Sequence, residues 1–319
     1  MTKYKKGTRY ITYFPEKHSV GGIGHCFIDY LTAFIISEIF EEVTFINYKF
    51  EIPPNNERNM IVHNEKVDWF NFLNLHELSK KYIKNISKEH EFIPVKKTTG
   101  PRKNRYQNID LSYLRNAIKI YKLNYLIENN RIYLFDLYYY EKNNFLPQNT
   151  TLNIVNKLKH NFYLNNERLD KSSRMYINVY LRRGDFDKKS FEETFTFDTL
   201  NMIYSNIRKK KKCIINIISA GVEEDMNIIR RKYQKFKPNF FFNKNEKDVF
   251  YLMTQSDVLI FYNSTFPFTA SLFCNGKIIK KKNDDYFSKM VYNKDISFLD
   301  NYIITNKLSK EHLIKIGLK

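Results

Sequence analysis

The sequence predicts an α/β protein made of two lobes, on the strength of three observations. The chain has 319 residues, which is too long for one small domain and fits two domains of medium size. A β-rich segment at Arg9–Phe14 runs into a glycine turn and then into a helical pattern. The second half alternates apolar strand-like runs with helical patterns, which is typical of a doubly wound parallel sheet. We expect a first lobe at residues 1–168 and a second at residues 169–319.

The first half predicts a strand–helix–strand unit followed by less regular segments. Apolar residues recur at helical spacing between Phe27 and Ile39, and the β-rich run Val43–Tyr48 follows. A helical pattern at Trp69–Ile83, a strand at Arg131–Tyr140 and a helix at Leu152–Phe162 come next.

The second half has a clearer rhythm. The predicted strands are Met175–Leu181, Ile214–Ser219 and Val258–Phe261. The predicted helices are Asp198–Arg208, Glu223–Phe236, Asp248–Gln255 and Phe266–Phe273. Because ligands of such sheets lie outside the carboxyl ends of the strands, residues that follow these strands are the candidate binding groups.

The composition narrows the class of protein only partly. The net charge of +19 is typical of chains that meet nucleic acid, anionic lipid or phosphorylated small molecules. AT-rich codons would also enrich Lys, Asn, Ile and Tyr whatever the function, so the charge alone leaves the function open. Three cysteines without CxxC spacing indicate neither a disulfide framework nor a zinc cluster. With no apolar core for a signal peptide or a membrane span, we expect a cytoplasmic protein.

The strongest chemical pattern is the run Tyr-Leu-Arg-Arg-Gly-Asp at positions 180–185, which ends an apolar strand. A guanidinium keeps its charge and offers a planar fork of donors, which suits a diphosphate. Arg182 and Arg183 would stabilise the charge that develops on a departing diphosphate. Asp185 would orient one of these arginines. A surface salt-bridge cluster is the alternative interpretation.

Two further patterns are turns that open helices. The turn Gly-Gly-Ile-Gly at positions 21–24 includes Gly22 and Gly24 and is followed by His25. Its glycines allow close backbone approach, and the following helix presents amide groups to an anion or a sugar hydroxyl. Asn263, Ser264, Thr265 and Phe266 follow the strand Val258–Phe261 in the same way. Taken singly, each turn also fits an ordinary helix start.

Taken together, these motifs resemble those of the superfamily of α1,2-, α1,6- and protein O-fucosyltransferases. That family shows GGLGNQxFQ near its N-terminus, HxRRGD in the middle, and an aspartate before a Leu-Met pair that leads to a SNSSFSWW-like stretch. This chain has the glycine turn, the arginine run, Asp248 before Leu252-Met253, and then the Asn-Ser-Thr-Phe turn. The order is kept across about 250 residues.

The resemblance implies a GT-B fold, in which two Rossmann-like lobes face a cleft. It implies transfer of fucose from GDP-fucose to a glycan hydroxyl with inversion, and no obligatory metal or other cofactor. Arg182 would contact the donor diphosphate, with Arg183 and Asp185 in support. The remaining predicted donor-binding residues are Gly22, Gly24, Tyr180, Ser219, Asp248, Asn263, Ser264, Thr265 and Phe266.

Several positions depart from the family pattern. Tyr180 stands where the family has a histidine that helps to hold the nucleotide, so GDP is one candidate among several nucleotides. His25 and Cys26 replace Asn-Gln, and Phe268 and Thr269 replace the paired tryptophans. An inverting transferase needs a base near the acceptor hydroxyl, and the candidates beside a motif are His25, Asp29 and Asp185.

Three other interpretations remain open. Asp185 and Asp187 form a D-x-D pair that would hold a divalent cation in a metal-dependent glycosyltransferase. The basic runs Arg208–Lys212 and Lys280–Lys282 fit a nucleic-acid-binding protein, although no nucleic-acid motif accompanies them. The basic, amphipathic segment Leu308–Leu318 is compatible with peripheral membrane contact, but we expect it to pack back on the first lobe.

Overall fold

The chain forms an α/β fold, described here from a computed structural model. The described residues are 9–12, 23–24, 27, 30–31, 34, 37–38, 43–45, 47–48, 67–78, 82–83, 92–94, 132–134, 148–169, 174–183, 189–207, 212–282 and 301–317. They belong to two compact units. The first contains the described residues up to Asn165 except Val67, and the second contains Val67 and those from Asn166 onward.

The first unit contains a small parallel sheet. Its strands are β1 (Arg9–Thr12), β2 (Val43–Phe45), β5 (Phe92–Pro94) and β6 (Ile132–Leu134), in the order β2-β1-β6-β5, and β3 (Asn47–Tyr48) pairs separately with β4 (Tyr82–Ile83). Its helices are α1 (Trp69–Phe72) and α2 (Gln148–Asn165), with a 3₁₀ helix at Leu75–Leu78.

Aromatic packing holds the described parts of this unit together. The segment that follows the glycine turn is helical at its described positions. The rings of Tyr30 and Phe34 in that segment each lie 5.3 Å from the ring of Phe45 in β2. Such edge-on pairs add to the burial of the rings themselves. Near α2, the ring of Phe72 meets that of Phe162 at 5.5 Å.

The second unit is built on a six-stranded parallel sheet with the order β12-β11-β10-β7-β8-β9. The strands are β7 (Arg174–Arg182), β8 (Lys212–Ala220), β9 (Asn239–Phe242), β10 (Val258–Phe261), β11 (Lys277–Lys281) and β12 (Tyr302–Thr305). The helices are α3 (Lys189–Asn206), α4 (Glu223–Tyr233), α5 (Glu246–Thr254), α6 (Thr265–Phe273) and α7 (Lys310–Lys315), with a 3₁₀ helix at Gln234–Phe236. The predicted α/β class is therefore confirmed.

Helices cover both faces of this sheet. On one face, Ile177, Val179 and Leu181 of β7 join a buried apolar cluster with residues of α3, α4 and α7. Alternate residues of a strand point to opposite faces, and Asn178 contacts the end of α5 on the other face. The segment from Leu308 packs on this same sheet through Leu308, Leu313 and Ile316. Its expected packing on the first lobe was therefore wrong, because its apolar side chains fill the core beside β12.

A row of hydrogen-bonded asparagines, of which Asn178 and Asn216 are buried, crosses three strands of the sheet. Asn178, Asn216 and Asn239 are register partners on β7, β8 and β9. The Asn239 amide donates to Asn216 Oδ1 at 3.0 Å, and the Asn216 amide donates to Asn178 Oδ1 at 2.7 Å. Asn178 then donates to the Leu252 carbonyl and to Ser256 Oγ. A shift of one residue would leave buried amides without partners, so the row fixes the register.

We expect Asn216→Ala to lower the free energy of unfolding by about 2–3 kcal/mol, because it leaves Asn178 Oδ1 buried without a donor. Chemical denaturation measures this change. Asn239→Ala is the matched control at the exposed end of the row, and we expect it to cost about 1 kcal/mol or less. Equal small losses for both variants would contradict a register role for the row.

Candidate functional site

The strand order of the second unit has a switch point between β7 and β10. From β7 the chain continues to β8 and β9 on one side, and β10, β11 and β12 lie on the other. Phe261 of β10 pairs in register with Tyr180 of β7, so the carboxyl ends of the two strands are neighbours. Ligands of open α/β sheets bind outside the carboxyl ends at such a point. The candidate site therefore lies where β7 and β10 end.

Two of the sequence motifs meet at this switch point. Ser264 is the residue before α6 and has an extended backbone, and its hydroxyl makes no capping bond to the helix. That hydroxyl is instead hydrogen-bonded to the Tyr180 side chain. The Tyr180 ring also contacts the Phe266 ring, with 5.9 Å between the centroids. The end of β7 and the start of α6 are therefore joined by both polar and aromatic contacts.

The Tyr180 phenol stays protonated. Burial raises its pKa, and the charge of Glu192 raises it further. The positive charge of Arg182 and the hydrogen bond from Ser264 act in the opposite direction but more weakly. Tyr180 therefore offers the site a neutral hydroxyl and a ring edge.

The two arginines of the motif have different surroundings. Arg183 is only 4% exposed, and its guanidinium pairs with Glu192 Oε2 at 3.0 Å and with Glu193 Oε1 at 2.6 Å. Arg182 is partly exposed at the last position of β7, and its backbone N–H donates to Glu192 Oε1 at 2.8 Å. Arg183 therefore binds α3 to the strand end, and the Arg182 side chain is the one that reaches the surface there.

The carboxyl end of β8 supports the same strand end. The Ser219 hydroxyl donates to the Leu181 carbonyl at 2.8 Å and is buried. A Cβ at Gly221 would meet Arg183 Cβ at 3.0 Å, so a larger residue would press on the ion-paired arginine. Asn243 holds this turn by hydrogen bonds to the Gly221 N–H and carbonyl. Ser219 therefore lies beside the predicted site but uses its hydroxyl within the sheet.

The acidic residues near the site include some that sequence reasoning missed. Asp248 is exposed in the first turn of α5. Glu246, two residues earlier, is the residue of that turn whose charge reaches Tyr180. Glu192 and Glu193 hold Arg183 from the first turns of α3. Little in the sequence indicated them, because the strand before Glu246 was not predicted and the helix that carries Glu192 and Glu193 was expected to begin only at Asp198.

Other predicted residues at the switch point are Asn263 and Thr265. Asn263 is partly buried between β10 and α6, and Thr265 is 8% exposed at the first position of α6. Gly24 belongs to the first unit, where it is buried with a helical backbone. Gly22, His25, Asp29, Asp185 and Asp187 lie outside the described residues. Of the predicted groups of the second unit, the structure therefore brings Tyr180, Ser264 and Phe266 into contact, and it places Arg182 at the end of the same strand as Tyr180.

No protein-family model matches the chain, and no curated protein matches it either. Within the described ranges, there is no cluster of three or more His, Cys, Asp or Glu side chains suited to a metal ion. No described helix has the length and apolar character needed to cross a membrane.

The Glu192 carboxyl should make stability depend on pH. Burial raises its pKa from 4.5 to about 8, although the Arg182 amide and the Arg183 guanidinium lower it. The folded state therefore binds the proton more tightly than the unfolded state, and the resulting stabilisation is full below pH 4.5 and is lost as the pH rises through 8. Because the amide in Glu192→Gln cannot titrate, we expect the stability of the wild type to fall relative to this variant between those values.

Titration of this one carboxyl group changes the free energy of unfolding by at most about 1.4 kcal/mol per pH unit. Thermal unfolding of both proteins across this range measures the difference. A difference that stays constant, or that moves in favour of the wild type as the pH rises, would contradict the raised pKa.

Proposed function

We propose that the chain is a glycosyltransferase that uses a nucleotide sugar, of the inverting and metal-independent kind. Its donor would bind to the second unit at the switch point between β7 and β10. The observation that carries the proposal is the meeting of Arg182, Tyr180 and the Ser264 turn at neighbouring strand ends. The resemblance to fucosyltransferases adds GDP-fucose as the donor, a glycan as the acceptor, and a GT-B arrangement of the two units.

The chemistry at the strand ends supports a diphosphate ligand. When the sugar leaves its carrier, negative charge grows on the nucleoside diphosphate. Arg182 offers a fixed positive charge at the end of β7. The N-terminus of α6, a nine-residue helix, adds the positive end of its dipole beside the same position. Both groups favour the charged leaving group over the intact donor, which lowers the barrier to transfer.

The surroundings of Arg182 prepare it for this role. Glu192 accepts the Arg182 backbone N–H, and the Glu192–Arg183 ion pair fixes α3 against the strand end. Arg182 therefore starts from a rigid backbone, so that less ordering is needed when an anion binds. Arg183 would serve as the support that the resemblance implies, because its guanidinium donates hydrogen bonds to the carboxyl groups of Glu192 and Glu193.

The nucleotide base is the least constrained part of the proposal. Tyr180 stands at the position of the family histidine, and it is tied to Ser264 and Phe266. Its phenol and ring would contact the ribose or base where the histidine does so in the family. Asp248 is exposed at the start of α5 and would face the nucleotide from the next turn. GDP is the expected nucleotide, and UDP, ADP and dTDP are the alternatives.

The acceptor side rests on the first unit and on residues outside the described ranges. The glycine turn with Gly22 and Gly24 would lie near the transferred sugar. His25 or Asp185 would remove the proton of the acceptor hydroxyl, since the attacking oxygen must lose it during inversion.

A thermal-shift screen against GDP, UDP, ADP and dTDP tests the donor site and its base preference together. We expect one nucleotide, GDP first, to raise the melting temperature without added metal. Arg182→Ala should weaken its binding by about 10- to 100-fold, because a charge-assisted phosphate contact contributes about 1.5–3 kcal/mol.

Arg231→Ala is the matched control, since Arg231 is an exposed arginine on α4, and it should leave the shift unchanged. Equal losses in the two variants would show that Arg182 acts only through net charge. Stabilisation that requires a divalent cation and disappears in Asp187→Ala would replace the proposal with the metal-dependent alternative.

A further inference from the structure

At one edge of the sheet in the second unit, the described cations clearly outnumber the described acids. In a parallel sheet all strands begin at the same edge, and the helices between them run back and end there. Arg174, Lys212 and Lys277 are the first residues of β7, β8 and β11. Lys235 and Lys237 follow α4, and Lys315 ends α7. We call these six cations, with the side chains between them, the amino-edge surface.

The opposite edge carries acids together with cations such as Lys244, Lys281 and Lys307. The first turns of α4, α5 and α7 contain Glu223, Glu224, Asp225, Glu246, Asp248 and Glu311. Helix dipoles favour acids at helix starts and cations at helix ends, so part of this separation is expected in any such fold. Strands have only small net dipoles, so the dipole argument does not account for the cations that begin β7, β8 and β11. At the amino edge, the described acids are Glu167 and Asp257, and Asp257 accepts the Tyr176 N–H at 2.7 Å.

Exposed apolar side chains lie among these cations. Leu169, Tyr204 and Ile314 are 37%, 40% and 47% exposed, and all three lie where the chain enters β7 or leaves α3 and α7. Leu169 follows Arg168, and Ile314 precedes Lys315. The Tyr204 ring packs on Phe236 at 5.3 Å, and the Lys235 ammonium lies 4.9 Å from the centre of that same Phe236 ring.

The combination of cations and exposed apolar side chains on this surface distinguishes between possible anionic partners. Cations alone would suit the phosphates of nucleic acid equally well. Branched aliphatic chains such as Leu169 and Ile314 have no favourable contact on a phosphate backbone. A bilayer with anionic headgroups accepts both, because its surface attracts Lys and Arg while the boundary with the acyl chains takes up apolar groups.

We propose that the amino-edge surface docks on an anionic phospholipid bilayer. The strand β7 has nine residues and is therefore about 30 Å long, which separates this surface from the switch point at the other end of the strand. The carboxyl ends would then stay accessible to soluble ligands while the protein is docked. The inference rests on charge and exposure at the amino edge and is independent of the proposed function.

Cosedimentation with vesicles tests the proposal. The probes are vesicles of phosphatidylcholine alone and of phosphatidylcholine mixed with phosphatidylglycerol. We expect binding to the anionic vesicles that weakens with added salt, and much weaker binding to the neutral ones. The triple variant Lys212→Glu, Lys235→Glu, Lys315→Glu should bind anionic vesicles about 100-fold less tightly, from the usual contribution of each basic residue near a lipid surface.

A matched control separates local from total charge. Lys244→Glu, Lys307→Glu, Lys310→Glu changes the net charge equally at exposed positions of the opposite edge, and it should retain most of the binding. Leu169→Ser with Ile314→Ser leaves the charge unchanged and should weaken binding without removing its salt dependence. Circular dichroism and melting temperature verify that each variant is folded. Arg182→Ala should bind vesicles as the wild type does, whatever its effect on nucleotide binding.

Three results would overturn the proposal. The first is an equal loss of vesicle binding in the two triple-lysine variants, which would indicate a non-specific charge effect. The second is equal binding to neutral and anionic vesicles. The third is binding to duplex DNA, but not to vesicles, that is lost in the Lys212, Lys235 and Lys315 variant, which would make nucleic acid the partner.

Discussion

The buried contact between the Arg183 guanidinium and the Glu192 carboxyl, an ion pair above about pH 8 and a hydrogen bond below it, is the constraint on which the candidate site depends. It joins the end of β7 to the first turn of α3, and Glu193 extends it to Lys232 on α4 at 3.1 Å. A buried pair of this kind need not stabilise a fold more than apolar residues would, but removal of one partner typically costs about 3–5 kcal/mol. Its role here is to hold the end of β7 in place. Because two carboxyl groups hold Arg183, the end of β7 is fixed, and with it the position of the preceding residue, Arg182.

The hydrogen-bonded row of Asn178, Asn216 and Asn239 is a second polar arrangement, and it lies further inside the sheet. Register between β7 and β8 determines which residues reach the carboxyl edge together, and Asn178 and Asn216 are paired at the middle of that ladder. A slip of one residue would turn Tyr180 to the face covered by α3 and α4, away from Phe266. The positions of the side chains at the switch point therefore depend on the buried amides of Asn178 and Asn216, which lie two or more residues away along the strands. The two arrangements together explain why polar groups are tolerated in an otherwise apolar core.

The sequence predicts best those elements of the fold that have a strong local residue pattern. Val258–Phe261 was predicted with the bounds that the structure has, because it is a continuous apolar run between turn residues. The helix α3 begins nine residues before its predicted start, since its first turns mix acids with aromatics and show little periodicity. The strand β9 (Asn239–Phe242) was missed because it is a short edge strand that begins with a polar residue.

At the site, Arg182 and Ser264 could be predicted as strand-end residues, whereas Glu192 could not, because its pairing with Arg183 exists only after α3 folds back on β7. The predictions for Gly22, His25 and Asp185 lie outside the described residues and stay predictions.

The second unit thus has an excess of cations where its strands begin, and an arginine at the end of β7, next to the strand that leads into α6. The central claim is that this second position receives the diphosphate of a nucleotide. A crystal structure of the complex with the nucleoside diphosphate that stabilises the protein most would test it directly. We expect density for the diphosphate within hydrogen-bonding distance of the Arg182 guanidinium and the first turn of α6. Density for the nucleotide at the amino edge, or anywhere remote from Arg182 and Ser264, would contradict it.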